Sequence, residues 1–239
     1  MTYAQFHFLF NLPLLLILWY FGGKEMPSEL SYFILILLGM VVLFTSPWDN
    51  WAVKRGIWGF SKERFWFKIG YLPLEEYLFF LIETMEVIWL VEVLIHRSLP
   101  SALARAIEWN DPLFYIPCCA LLVTWLSVWF KYGNHSSRWN YAWHLLFWFL
   151  PVIFFQWILA WPIFLNHLST IFWATAGIGT YLSLADWIAV RQGIWFFDEK
   201  QITGLKFSSI LPWEEVAFFY LTSLLVAQSY VILLPAYLR

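Results

Sequence analysis

Five glutamates, Glu75, Glu76, Glu83, Glu86 and Glu92, fall in one apolar stretch that has no lysine or arginine between Ile69 and Ile95. A charged carboxylate at the centre of a bilayer helix costs about 2.5–3.5 kcal/mol on insertion scales, so such groups are protonated, paired or turned to a polar cavity. At about 100° per helical residue, with Glu75 at zero, Glu86 falls near 20°, Phe79 near 40°, Glu83 near 80° and Glu76 near 100°. Four acids then share one face with an aromatic ring among them. Glu92 falls near 260°, off that face and close to the far end of the helix. Clustered carboxyls with no basic partner are suited to donating and accepting protons. Glu75 and Glu76 also have a structural reading, because acids after a proline commonly start a helix and suit its dipole. That reading is weaker for Glu83 and Glu86, which sit deeper.

The stretch belongs to a repeat. SPWDNWAVKRGIWGF from Ser46 aligns with SLADWIAVRQGIWFF from Ser183, matching Asp49 with Asp186, Gly56 with Gly193, and Trp58 with Trp195. LPLEEYLFF from Leu72 aligns with LPWEEVAFF from Leu211, matching Glu75 with Glu214, Glu76 with Glu215, and Phe79 with Phe218. The offset moves from 137 to 139 between the two motifs. The same offset sets Glu83 against Thr222 and Glu86 against Leu225, so the second half keeps the acid pair and lacks the deeper acids. Because Asp49 and Asp186 precede loops carrying Arg55 and Arg191, an aspartate–arginine pair at the membrane surface is expected in each half.

These residues must be positioned by membrane helices. Hydrophobic residues make up 62% of the chain and charged residues 13%, against roughly 25% charged in soluble domains. Apolar segments run over Tyr3–Phe21, Leu30–Thr45, Leu72–Ile95, Pro112–Phe130, Tyr141–Leu159, His167–Leu184 and Leu211–Leu234, which predicts an all-α, polytopic bundle of about seven helices. The start lacks a basic region and a small-residue cleavage site, so it is expected to be a mature helix. Two three-helix units, 1–100 and 136–239, flank a linker at 101–135 with an unpaired fourth helix. That helix gives both units the same orientation, a parallel repeat. Ten basic residues (Lys54, Arg55, Lys62, Arg64, Lys68, Lys131, Arg138, Arg191, Lys200 and Lys206) fall on one side. Four (Lys24, Arg97, Arg105 and Arg239) fall on the other. The bias puts the N-terminus and the motif loops in the cytoplasm and the C-terminus outside, in a multi-pass cell-membrane protein.

Several chemistries are not indicated. A net charge of −2 argues against a nucleic-acid partner. His7, His96, His135, His144 and His167 are scattered, so no metal site is expected. No dinucleotide or phosphate-binding glycine signature is present, and no cofactor is expected. Cys118 and Cys119 are adjacent in an apolar stretch and read as packing residues. The seventh segment has no lysine for a retinal Schiff base.

The segments PWDNWAVKRGIWGF and LPLEEYLFFLIET, with their echoes ADWIAVRQGIWFF and LPWEEVAFF, resemble the membrane-embedded lycopene cyclase domain in its fused two-domain form. The resemblance covers nearly the whole length. It implies a flavin-free lycopene β-cyclase acting on lycopene or a related linear carotenoid within the lipid bilayer, with possible contact with other carotenoid enzymes. No aspartate-rich prenyl-synthase motif accompanies it, so no synthase activity is expected. The implied reaction is redox-neutral: an acid protonates the terminal alkene, an internal alkene attacks the cation, and a base removes a proton. Burial and crowding favour the protonated carboxyl such an acid needs, and aromatic faces stabilise a passing cation. On this reading Glu75, Glu76, Glu83, Glu86, Glu214 and Glu215 are the candidate catalytic acids. Phe79, Trp58, Trp195 and Phe218 line the substrate, and Asp49, Arg55, Asp186 and Arg191 support the site. A single composite site between the third and seventh segments is expected. A proton-coupled transporter or a noncatalytic carotenoid- or quinone-binding subunit are the alternatives, but the acid-bearing third and seventh segments lack the glycine breaks that a transporter predicts. The topology is tested with a C-terminal reporter that works only in the cytoplasm: it should stay silent, and an active reporter overturns the orientation.

Overall fold

The structure is a computed structural model that describes every residue except 25, 27, 98–110, 133–136 and 235–239. Arg105, Arg239 and His135, the first part of the expected linker and the end of the chain lie outside the described residues. Helix α1 spans Tyr3–Gly23, α2 Leu30–Lys54, α3 Leu74–Arg97, α4 Pro112–Tyr132, α5 Asn140–Asn166, α6 Leu168–Arg191 and α7 Trp213–Leu233. Six of these are long and apolar enough to cross a membrane. The other, α3, has 24 residues, about 36 Å of helix. Its length suffices for a span, and its five acids lower its hydropathy. The chain is therefore the all-α membrane bundle that the apolar segments predict.

Helices α3 and α7 form the centre. The described contacts set α1, α2, α6 and α7 against α3, and α2, α3, α5 and α6 against α7, while α4 packs on the outside against α5. The structure carries two helices further than expected. Both α2 and α6 run past the ends of their apolar segments, so Asp49 and Asp186 lie on helices and not in solvated turns. Pro47 does not stop α2. In α1, Pro13 is flanked by wide π-type turns at His7–Asn11 and Trp19–Gly23, the kind of local adjustment that accommodates proline in membrane helices.

The repeated Gly-Ile-Trp has a local physical cause. Helix α2 ends with Gly56 at φ 71°, and α6 with Gly193 at φ 67°, a left-handed backbone that glycine adopts without steric cost. The Ile57 N–H then reaches back to the Ala52 carbonyl (3.0 Å) and the Ile194 N–H to the Ala189 carbonyl (3.1 Å). This closes each helix with the same glycine cap and buries the isoleucine. The chain leaves each cap as a short strand, β1 (Trp58–Phe60) or β4 (Trp195–Phe197). These pair with each other, antiparallel, in the register Trp58↔Phe197, Gly59↔Phe196 and Phe60↔Trp195. Every pairing therefore joins a residue to the repeat equivalent of its mirror position, as a two-fold relation between the halves requires. Two flanking bonds repeat the pattern: Ser61 N–H to Ile194 O (3.0 Å) and Asp198 N–H to Ile57 O (2.9 Å). Two further hairpins, β2–β3 (Lys68–Ile69 with Leu72–Pro73) and β5–β6 (Lys206–Phe207 with Leu211–Pro212), deliver the chain into α3 and α7.

At the far end of the bundle, α1 lies directly on α3. A Cβ at Gly22 would stand 2.2 Å from the Trp89 carbonyl oxygen, whereas one at Gly39 would meet nothing within 4 Å. Gly22→Ala should force the two backbones apart and lower stability by about 1–3 kcal/mol, as overpacking does. Gly39→Ala should leave the melting temperature of the detergent-solubilised protein unchanged. Equal melting of the two variants contradicts the close approach.

Candidate active site

The paired acids that open α3 and α7 separate by function because adjacent helical residues point about 100° apart. Glu75 accepts the Trp66 backbone N–H at 2.9 Å, and Glu214 accepts the Thr203 N–H at 2.6 Å. Each first acid thus ties down its own half's loop. Each second acid turns inward. Glu76 accepts the Tyr3 hydroxyl at 2.8 Å, and Glu215 accepts the Tyr141 hydroxyl. Tyr3 and Tyr141 come from the first turns of α1 and α5. Each donates to an acid of its own half and packs on a tryptophan of the other: Tyr3 against Trp195 and Tyr141 against Trp58, both with centroids 4.9 Å apart.

The result is a cage at the junction of the halves, with a cavity of about 30 Å³. Glu76, Asp186 and Glu215 supply its carboxyls, and Trp58, Trp195, Phe79 and Phe218 are among its aromatic walls. Asp49 is buried just behind, with its carboxyl in hydrogen-bond contact with Glu76. Two carboxyls in that contact share at least one proton. Trp58 approaches Asp49, and Trp195 approaches Asp186.

The expected aspartate–arginine pairs do not form. Among the described residues neither aspartate has an ion-pair partner. Arg55 lies 4.6 Å from the Trp51 ring centroid and Arg191 5.4 Å from that of Trp187, both exposed. The physical reason is spacing: Asp49 faces inward on the last turns of α2, and an arginine six residues on is not its i+3 or i+4 neighbour.

Glu83 occupies a second environment. An apolar groove of about 380 Å³ runs between α2, α3, α5 and α7, lined by Phe44, Phe80, Phe149, Phe218 and Leu233 among others. Glu83 is the carboxyl on its wall, and its repeat equivalent Thr222 donates a 2.5 Å hydrogen bond to it. Phe218 belongs to both the groove and the cage. Glu76 and Glu215 lie within electrostatic reach of Glu83. Glu86 is fully buried with neither oxygen hydrogen-bonded, near Glu83 and Tyr181 and outside the groove lining. Glu92 departs from its expected place at the interface: it is fully buried and accepts the Tyr230 hydroxyl across α3 and α7. Helical angle alone did not show that α7 covers this side of α3.

Tyr3 and Tyr141 were absent from the residues singled out in the sequence. Their signal is present: Tyr-Ala at 3 and Leu-Pro at 12 recur as Tyr-Ala at 141 and Leu-Pro at 150, so each tyrosine sits on a repeated frame.

Comparison with known proteins gives relatives over most of the chain. A bifunctional lycopene cyclase/phytoene synthase of Phycomyces blakesleeanus is 28% identical over 92% of the chain and 37% of its own length. One of Phaeosphaeria nodorum is 29% identical over 94% of the chain and 39% of its own. The lycopene beta-cyclase of Halobacterium salinarum is 26% identical over 82% of the chain and 80% of its own length. The chain thus spans little more than a third of the fungal relatives and matches most of the archaeal one. No family model and no solved structure matches. The likeness carried by the paired motifs is borne out by these relatives.

The two acids of each pair should separate in experiment. Glu75→Ala and Glu214→Ala each leave a loop N–H without its acceptor, which should cost about 1–3 kcal/mol of stability. Thermal melts in detergent measure this, and unchanged melting in both variants contradicts the loop-tying role.

Proposed function

We propose that this relative of the lycopene cyclases is itself a carotenoid cyclase, closing a β-type ring at the ψ-end of lycopene or a related linear carotenoid. The observation that carries the reading is the apolar groove with a carboxyl on its wall, beside a cage of carboxyls that has no basic partner among the described residues. A long hydrocarbon dissolved in lipid needs such a groove, and the reaction needs a protonated acid at the end of it. The groove's volume is within the usual range for small-molecule sites.

In this reading the chain end lies in the groove with its terminal double bond at Glu83. Thr222 holds one Glu83 oxygen, which leaves the other to carry the proton toward the alkene. Transfer forms a C–H bond and leaves a tertiary cation. The internal double bond attacks it, forming the ring C–C bond and moving the cation into the ring. Phe80, Phe149 and Phe218 present π faces that stabilise positive charge without attacking it. Loss of a neighbouring proton then forms the ring double bond, so the atoms of substrate and product are the same. That proton goes to a carboxylate of the Glu83 cluster. The cage behind Phe218 lies beside the basic loops, which the charge bias puts in the cytoplasm, and resupplies Glu83 from water. Asp49 and Asp186 act within that store, while Arg55 and Arg191 stand outside it.

The test is expression in a lycopene-accumulating host with pigment chromatography. The parent chain should produce cyclised carotenoid. Glu83→Gln keeps shape and loses the titratable proton, and should cut cyclisation by about 10²–10⁴-fold while the protein still inserts. Glu92→Gln retains an acceptor for Tyr230 and should cyclise near the parental rate. Unchanged lycopene with a well-inserted parent chain overturns the cyclase reading. Parental activity in Glu83→Gln moves the donor to Glu76 or Glu215.

A further inference from the structure

The two halves of the cage differ at one point. In the first half, Asp49 is in direct hydrogen-bond contact with Glu76. In the second half, Asp186 faces Glu215 through charge alone, without that contact. Both Asp186 oxygens are buried and have no hydrogen-bond partner, whereas only one oxygen of Asp49 is left so. Asp186 is 1% exposed. The space between the acids is not filled by protein: Asp186 and Glu215 line the cage cavity together, and Asp49 does not line it.

We infer that the cage binds one water molecule, seated between Asp186 and Glu215 in the place that direct contact takes in the other half. Three observations carry this. The cavity, about 30 Å³, has room for a water molecule. Its wall offers polar partners on several sides, from Glu76, Asp186 and Glu215, and a buried water typically needs two to four. Among the described residues the Trp195 indole N–H is the one protein donor close to the Asp186 carboxyl, and a single N–H leaves at least one of the two oxygens in need of a donor. Water supplies two O–H donors and accepts from whichever carboxyl holds the proton. Leaving a buried acceptor without any partner costs about 1–3 kcal/mol, more for a charged group.

The water has a consequence for proton sharing. Asp49 and Glu76 are one directly bonded pair. With the water, Asp186 and Glu215 become a second pair of the same kind, and a proton moves between them by one hop in and one hop out. The store thus draws acids from both halves, although the second half lacks the deeper glutamates of the first. This inference stands on the cage geometry and does not depend on the cyclase reading.

The test is an experimental structure of the full chain in lipid, at a resolution that shows ordered water, for the parent and for Asp186→Leu. The parent should show one peak within hydrogen-bond distance of both Asp186 and Glu215, and none between Asp49 and Glu76. Asp186→Leu fills similar space without acceptors and should lose the peak. An empty cavity in the parent overturns the inference. So does a peak that gives an anomalous signal after thallium exchange, which marks a monovalent cation. A peak that persists in Asp186→Leu also overturns it, because Asp186 would then not be what holds the water. If that variant fails to fold, the parent map still decides by the presence and position of the peak.

Discussion

A carboxyl buried in a membrane bundle has to find its partners among neutral groups when no cation is within reach, and this constraint organises the molecule. Tyr3 and Tyr141 answer it for Glu76 and Glu215 and Thr222 for Glu83, while Glu92 has the Tyr230 hydroxyl together with His96, 3.5 Å away. A hydroxyl donor stabilises a carboxyl without neutralising it. An arginine would hold the same group permanently ionised, since breaking a buried ion pair costs about 3–5 kcal/mol. Neutral donors leave the proton free to move. The loops serve this arrangement. The glycine caps turn the chain into β1 and β4, their pairing fixes one half against the other, and the crossed packing of each tyrosine on the opposite tryptophan then sets the acids face to face.

The same scaffold is used unequally by its two halves. Phe44 lines the open groove, and its repeat equivalent is Tyr181, whose hydroxyl donates to the Phe10 carbonyl at 2.9 Å and fastens α6 to α1. Met40 lines the groove too, and its equivalent is Gly177, on which Leu90 closes to 3.2 Å from a built Cβ. On the side related by the repeat, packing and a hydrogen bond thus take up positions that the groove leaves open. Glu83 and Thr222 meet where α3 crosses α7, so equivalent positions that differ in chemistry become donor and acceptor to one another. An exact repeat would have set two glutamates there, with nothing to donate between them unless one carried a proton.

Much of this is legible in the residues, and the misreadings share a physical cause. Helix identity follows from apolar length, and the acid-bearing helix from its lack of basic residues. The Gly-Ile-Trp repeat marks a cap because only a left-handed residue can make that turn cheaply. Periodicity reports which residues share a face and is silent on what covers it. Glu92 looked peripheral by angle, yet α7 covers that side of α3. Asp49 looked solvated because the apolar run ends before it, yet tertiary contacts carry α2 further. Tyr3 and Tyr141 carry no charge, so they did not stand out in a search for titratable groups, although their frame repeats.

The adjacency of the two acids in Leu-Pro-x-Glu-Glu follows from this geometry. One turn of helix cannot point two neighbouring side chains the same way, so the pair serves two surroundings at once. The first acid must reach backward to a loop N–H, which fixes the entry of the helix and with it the angle of the second. The second then projects into the cage at the end of the helix nearest the loops. Glu83 stands two turns further along, on the wall of an apolar groove where a proton has few competing acceptors. On the proposed reading, proton supply and proton use lie about 10 Å apart along one helix, with Phe218 lining both the cage and the groove. In the proposed reaction, a cation formed in the groove has Phe218 between it and the cage, a shield against water from that side. That shielding matters because a tertiary cation open to water would be captured as an alcohol before an internal alkene could close the ring.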